Sequence, residues 1–220
     1  MARTLHAMGA GFGRQRRTAM GRVRGGALGA RLTVLFAALM ATGGLEGWEG
    51  VRQKRRGADR TQDRDPNSYR LLMLTCWPAG LLALAGAIFL PRLTLPRRQR
   101  SAVFGAGLVL MGLGVGLRQW AIQALGHFFV GYVSVQPDHR VVQSGPYRWV
   151  RHPSYTGLWL QFVGLGLATG NSGGLITGLL LPLVGIVRRI AAEETALAAA
   201  LPADYADYAR RTKRLIPFLW

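Results

Sequence analysis

The chain contains one cysteine, ten acidic residues among 220, and no histidine spacing suited to a metal. A lone Cys76 excludes an intrachain disulfide and a cysteine-based zinc site. It lies in the charge-free run Leu71–Leu90 beside Trp77 and reads as a small buried apolar residue. His6, His127, His139 and His152 form no HExxH pattern, so no protein-held metal is expected. Charged residues make up only 17% of the chain and hydrophobic ones 50%, an unusual balance for a soluble globule. Because acids are so scarce, 28 Lys and Arg leave a formal charge of +18. Such an excess suits nucleic acid or an anionic membrane surface. The long apolar runs favour the membrane, and no nucleic-acid reader motif accompanies the basic residues. Residues 1–31 are Arg-rich and acid-free, without a small-residue cleavage site. They read as a basic, disordered N-terminal extension, with Met8 and Met20 as alternative translation starts.

What is present is apolar sequence in five segments. Leu32–Leu45 is apolar for about fourteen residues before Glu46 and Glu49, which fits an interfacial or re-entrant helix as well as a span. Leu71–Leu90 is a clear spanning candidate. Ala102–Leu125 is interrupted by Arg118, which must face the bundle interior or snorkel. Leu158–Thr169, lengthened by Tyr155–Gly157, and Gly173–Val187 are joined by Asn171-Ser172-Gly173 and should form a tight helical hairpin. The expected fold class is therefore all-α integral membrane, with about five transmembrane helices. If all five span, the loops 52–70 and 126–154 and the tail after Val187 share one side and carry sixteen Lys and Arg against eleven. That side is expected to be cytoplasmic. The pairs Gly112/Gly116, Gly166/Gly170 and Gly174/Gly178 have the spacing of close helix packing. Gly164-Leu165-Gly166 is not a dinucleotide fingerprint, because no strand precedes it.

The densest stretch is Gly145-Pro146-Tyr147-Arg148-Trp149-Val150-Arg151-His152-Pro153-Ser154-Tyr155-Thr156-Gly157. Its prolines stiffen the backbone, its tyrosines present amphipathic rings, and Arg151-His152 offers donors to an anionic or carbonyl-bearing ligand. Beyond the fifth segment, Arg189 and Glu193 share a helix face, while Glu194 is turned about 100° from Glu193. Two adjacent carboxylates on the side of the Pro-Tyr-Arg-His-Pro loop make a candidate polar pocket. Pro202 ends that helix, and Phe218 and Trp220 read as anchors of an interfacial C-terminal segment.

Those blocks, followed by Tyr205-Ala206-Asp207-Tyr208 and Leu215-Ile216-Pro217, resemble the isoprenylcysteine carboxyl methyltransferases and the related phospholipid methyltransferases. The likeness covers roughly Leu113–Trp220 and includes the lead-in Leu125-Gly126-His127-Phe128-Phe129. It implies a membrane-embedded enzyme that uses S-adenosylmethionine without a Rossmann domain. It implies a cytoplasmic cofactor pocket between the loop after the third span and the helix that extends from the fifth. The matching cofactor positions are Gly145, Pro146, Tyr147, Arg151, His152, Pro153, Tyr155, Glu193 and Glu194. Arg189 and Glu193 are the expected catalytic pair, Arg orienting a carboxylate acceptor or Glu taking the proton of an amine. Arg118 and His127 are candidate substrate contacts. The implied organisation is an extension over 1–31, N-terminal transmembrane helices over 32–100, and a methyltransferase core over 101–220. The expected partners are membrane lipids and a lipophilic methyl acceptor, with no nucleic acid. Two alternatives share parts of the pattern: a sterol-reductase-type membrane enzyme with a similar Arg-His-Pro loop, and an inactive membrane scaffold. Gly157 and the Glu193-Glu194 pair favour the methyltransferases.

Overall fold

The computed structural model describes the backbone of residues 2–55, 65–129, 140–217 and 220, with side chains from residue 26 onward except 53, 54 and 66. Six helices follow one another: α1 (Ala2–Arg55), α2 (Pro66–Phe89), α3 (Arg97–Leu125), α4 (Pro153–Ala168), α5 (Ser172–Ala200) and α6 (Pro202–Arg211). Four stretches are long and apolar enough to cross a membrane: Gly26–Arg52, Asn67–Phe89, Arg97–Phe128 and Ser172–Ala200. The fourth apolar segment is α4, whose 16 residues extend only about 24 Å, short of the roughly 30 Å hydrocarbon core. Outward-facing side chains such as Leu74, Phe89, Val109, Leu113, Ile176 and Leu180 are exposed, as an apolar solvent requires. This is an integral membrane protein.

The first segment departs from the expected fourteen residues. Its helix runs on through Glu46 and Glu49 because both acids are neutralised, Glu46 by Arg118 and Glu49 by Arg52 at 3.3 Å. No proline precedes Pro66 to stop it. Of the extension expected over 1–31, side chains are described from Gly26 on, and residues 26–31 are helical.

α4 is the centre of the bundle, packed between α3 and α5, while α2 lies against α5. Glycines permit the closest approaches. A Cβ on Gly157 would stand 2.6 Å from the Gly114 carbonyl, and one on Gly164 would stand 2.6 Å from the Met111 amide. Gly166 and Gly174 meet in the same way between α4 and α5. Gly112 and Gly116, expected to pack, instead have open space around them: the α3 face against α4 is Gly107 and Gly114. The core is completed by Leu35, Leu39, Leu72, Phe162, Leu165, Ile186 and Ile190.

The connections sort to the two ends of the bundle. At one end the expected tight hairpin is held by Asn171, whose Oδ1 caps α5 through Gly174 N (3.2 Å) while its Nδ2 donates to the Leu90 carbonyl (2.8 Å). At the other end lie the Gly145–Gly157 loop, the end of α5, α6 and the C-terminal residues.

Candidate active site

The loop enters through Gly145, whose φ of +58° is one that L side chains rarely adopt. A short 3-10 turn, Gly145–Arg148, then buries Pro146 and Tyr147. The Tyr208 hydroxyl of α6 donates to the Tyr147 carbonyl at 2.6 Å, which fastens the turn from behind. The chain next pairs with the C-terminal segment: Arg151 N donates to the Lys213 carbonyl (2.7 Å) and His152 N to the Arg214 carbonyl (3.0 Å). His152 caps α4, and Pro153 occupies the first helical position, where its missing N–H costs nothing.

Backbone clamping aims the side chains at the two glutamates of α5. Glu194 receives Arg151 Nε at 2.9 Å, Arg214 Nε at 2.9 Å and His152 Nε2 at 3.2 Å. Glu193, one residue earlier and a third of a turn away, accepts from the Tyr155 hydroxyl (2.5 Å) and from Arg189 Nε (3.2 Å). The imidazole of His152 lies between them, its Nδ1 3.7 Å from Glu193. Arg189 is fully buried and also donates to Tyr155 Oη (3.2 Å) and Ser68 Oγ (3.1 Å). The adjacent carboxylates thus belong to different surroundings. Glu193 faces Tyr155 of α4 and Arg189, and Glu194 faces the loop and the C-terminal Arg214.

On the Glu194 side opens a cavity of about 450 Å³, lined by Ala191, Glu194, Thr195 and Ala198 of α5, Pro202, Tyr205, Ala206 and Ala209 of α6, and Arg214. Its volume lies in the range of small-molecule sites, about 300–1,000 Å³. The Tyr205 hydroxyl is buried there beside Glu194. Burial, and then the charge of Glu194, push its pKa above the ordinary phenol value, so it remains a donor.

This arrangement gathers Arg151, His152, Pro153, Tyr155, Arg189, Glu193 and Glu194, all of which the sequence singled out. Tyr205, Tyr208 and Arg214 were not named as site residues. Their signal was the Tyr-x-x-Tyr and Leu-Ile-Pro blocks, which place one helix face and one strand-like segment against the loop. His127 stands exposed at the end of α3, its ring centroid 3.9 Å from that of Phe128, on an element that holds neither glutamate. Arg118 does not snorkel. It is buried, bonded to Glu46 of α1 and to Ser154 Oγ at 2.6 Å. The anchor expected at Phe218 lies outside the described residues.

Residues 107–199, which run from the α3 glycines to the end of α5, match the isoprenylcysteine carboxyl methyltransferase (ICMT) family. Over that stretch the chain is similar to this family. Protein-S-isoprenylcysteine O-methyltransferase B of Arabidopsis thaliana is 29% identical over 153 residues, which are 69% of this chain and 74% of that protein. Protein-S-isoprenylcysteine O-methyltransferase of Saccharomyces cerevisiae is 32% identical over 115 residues, 51% of this chain and 48% of that one. The solved structure of the eukaryotic intramembrane Ras methyltransferase, an isoprenylcysteine carboxyl methyltransferase, superposes with a TM-score of 0.55 at 27% identity. It aligns with 70% of this chain and 53% of its own. The chain thus spans about half the length of the yeast relative and of the solved methyltransferase. The matched stretch, residues 107–199, includes His152, Arg189, Glu193 and Glu194.

Proposed function

We propose that this protein transfers a methyl group from S-adenosylmethionine to the carboxylate of an isoprenylcysteine-like lipophilic acceptor, at the cytoplasmic face of the cell membrane. The observation that carries the proposal is the cavity beside Glu194, with Tyr205 and Arg214 in its wall. Its donor set suits the cofactor. Arg214 offers a fork for a carboxylate, Glu194 an acceptor for an ammonium or ribose hydroxyls, and Tyr205 a single neutral donor. Gly145, Pro146 and Tyr147 form the turn that Tyr208 fastens, and beyond it Arg151 and His152 reach Glu194 in the cavity wall. When bound, the cofactor supplies a methyl group on a sulfonium, which departs to an incoming oxygen while the C–S electron pair returns to sulfur. That exchange needs no proton from a carboxylate acceptor.

What remains for the protein is alignment, a large part of the task in such displacements. Arg189, locked by Tyr155, Ser68 and Glu193, is a fixed cation one helix turn from Glu193. In this reading it orients the acceptor's oxygen, and Glu193 holds Arg189 and Tyr155 in place. Arg118 provides a second carboxylate-binding group deeper in the bundle. Residues 101–220 are assigned as the catalytic core and 32–100 as the walls of the acceptor's entrance. Sixteen Lys and Arg on the side of the loop and tail support the cytoplasmic orientation.

The test is transfer of radiolabelled methyl from S-adenosylmethionine to N-acetyl-S-farnesylcysteine by the full chain in detergent, with S-adenosylhomocysteine binding measured by calorimetry. Base-labile methyl ester on the farnesylcysteine is the expected product. Binding of a nicotinamide dinucleotide with no binding of S-adenosylhomocysteine would overturn the proposal.

A further inference from the structure

Arg118 and Glu46 form the one ion pair among the described residues that joins α1 to the rest of the bundle. The two halves of the pair are held unequally. The guanidinium is buried, with 8% of the residue exposed, and is pinned on its far side by Ser154 Oγ (2.6 Å) and the Ser154 carbonyl (3.2 Å). Its backbone is equally constrained: a Cβ on Gly157 would come within 2.7 Å of Arg118 N. Glu46, by contrast, keeps 39% of its side chain exposed. It sits on the least embedded helix, where Leu35, Leu39 and Glu49 are the buried side chains among those described. Its neighbours Leu45 and Trp48 face outward.

A guanidinium buried in a membrane protein requires a carboxylate, but any carboxylate presented as a fork will serve. Glu46 presents both oxygens to Nε and Nη2, the geometry an acceptor's α-carboxylate would adopt. Ser154, which pins Arg118, lies between His152 and Tyr155 in sequence, so a carboxylate seated on Arg118 stands at the N-terminal turn of α4, beside the Glu193 cluster. Resting on the methyl-transfer reading above, we propose that Glu46 is a displaceable latch. Its carboxylate occupies the seat on Arg118 that the acceptor's carboxylate takes, and α1 moves aside as the two exchange. α1 is then a lateral gate, shut by a built-in mimic of the acceptor's charged end. The exchange conserves charge inside the bundle at every stage, because Arg118 passes from one carboxylate to another. It also selects against acceptors without a free carboxylate, which cannot release the latch.

The test separates competition from mere loosening. Glu46→Gln keeps shape and one acceptor oxygen but removes the charge. The expected result is an apparent KM for N-acetyl-S-farnesylcysteine lower by about tenfold, the equivalent of one charge-assisted hydrogen bond. The inhibition constant of the corresponding carboxamide and the affinity for S-adenosylhomocysteine should stay unchanged. A fall shared by the carboxamide, or an unchanged or higher KM, would overturn the latch. A second measurement leaves Glu46 in place. Spin labels at Trp48→Cys and Trp120→Cys, both exposed positions, report the separation of α1 and α3. Saturation with N-acetyl-S-farnesylcysteine should widen it while the carboxamide does not; an unmoved distribution counts against the gate. A wild-type protein that binds S-adenosylhomocysteine but methylates no farnesylcysteine overturns the acceptor reading and the latch with it. Methylation accompanied by flat Glu46 results removes the latch alone.

Discussion

Replacing Glu194 by glutamine tests the division of labour between two carboxylates that are adjacent in sequence. In the wild type, Glu194 is the common partner of Arg151, His152 and Arg214, and its side chain is only 13% exposed. Glutamine retains one acceptor oxygen but turns an NH₂ toward a guanidinium or the imidazole. Removing one partner of a buried ion pair costs about 3–5 kcal/mol. Arg214 is 42% exposed and recovers water, and Arg151 keeps its bonds to the Ala209 and Thr212 carbonyls, so part of that cost is relieved. A net loss of about 2–3 kcal/mol remains, roughly 30- to 150-fold in an equilibrium constant. Because Glu194 lines the cavity, the loss should appear in the dissociation constant of S-adenosylhomocysteine, measured by calorimetry in detergent. Glu193→Gln, turned about 100° from it, should leave that constant within about threefold, since no charge-assisted bond to the cavity is altered. Equal losses in the two variants, or a loss confined to Glu193→Gln, would refute the assignment of Glu194 to the cofactor side.

Glu193→Gln should instead lower kcat, by about tenfold to a hundredfold, because Arg189 and Tyr155 lose their shared acceptor; single-turnover methyl transfer checks this. Gly157→Ala sets a methyl group against the Gly114 carbonyl and Arg118 N, so it should destabilise by about 1–3 kcal/mol in thermal unfolding, while Gly112→Ala, in open space, should not. Tyr208→Phe removes the bond to the Tyr147 carbonyl and should cost about 1 kcal/mol near neutral pH. Burial pushes the Tyr208 phenol up to about 12, so the fold favours its neutral form. That stabilisation is complete below the ordinary phenol value near 10 and is lost as pH rises from there to about 12. The wild type should therefore lose stability more steeply than Tyr208→Phe over that window, as followed by denaturant unfolding.

Much of the fold was legible because its signals are local. The charge-free run at Leu71–Leu90, the Asn171 turn and the Pro202 break each act over a few residues, and each marks an element of the structure. The first segment was less legible. Its apolar run stops at Glu46, and only the partner 72 residues away shows why the helix continues. The glycine spacings were half-legible. Periodicity identifies a smooth helix face but not which face meets a neighbour, and Gly114 packs while Gly112 does not. At the site, residue types and order marked Arg151, His152, Tyr155, Glu193 and Glu194. The cavity wall of Tyr205 and Arg214 depends on α6 folding back beside α5, which no local pattern encodes.

By itself, then, the sequence determined a membrane protein with long apolar helices, a proline-stiffened Arg-His loop and a carboxylate pair on the same side. Those features follow from hydrophobicity, helical period and fixed backbone angles, all short-range. Tertiary structure decided what each charge faces. The 100° between consecutive helical residues sends Glu193 to Arg189 and Tyr155 and Glu194 to Arg151 and Arg214. It also decided that Arg118 is answered from inside the bundle by Glu46. The partner of a buried charge is chosen by helix rotation and packing, and those are properties of the assembled bundle.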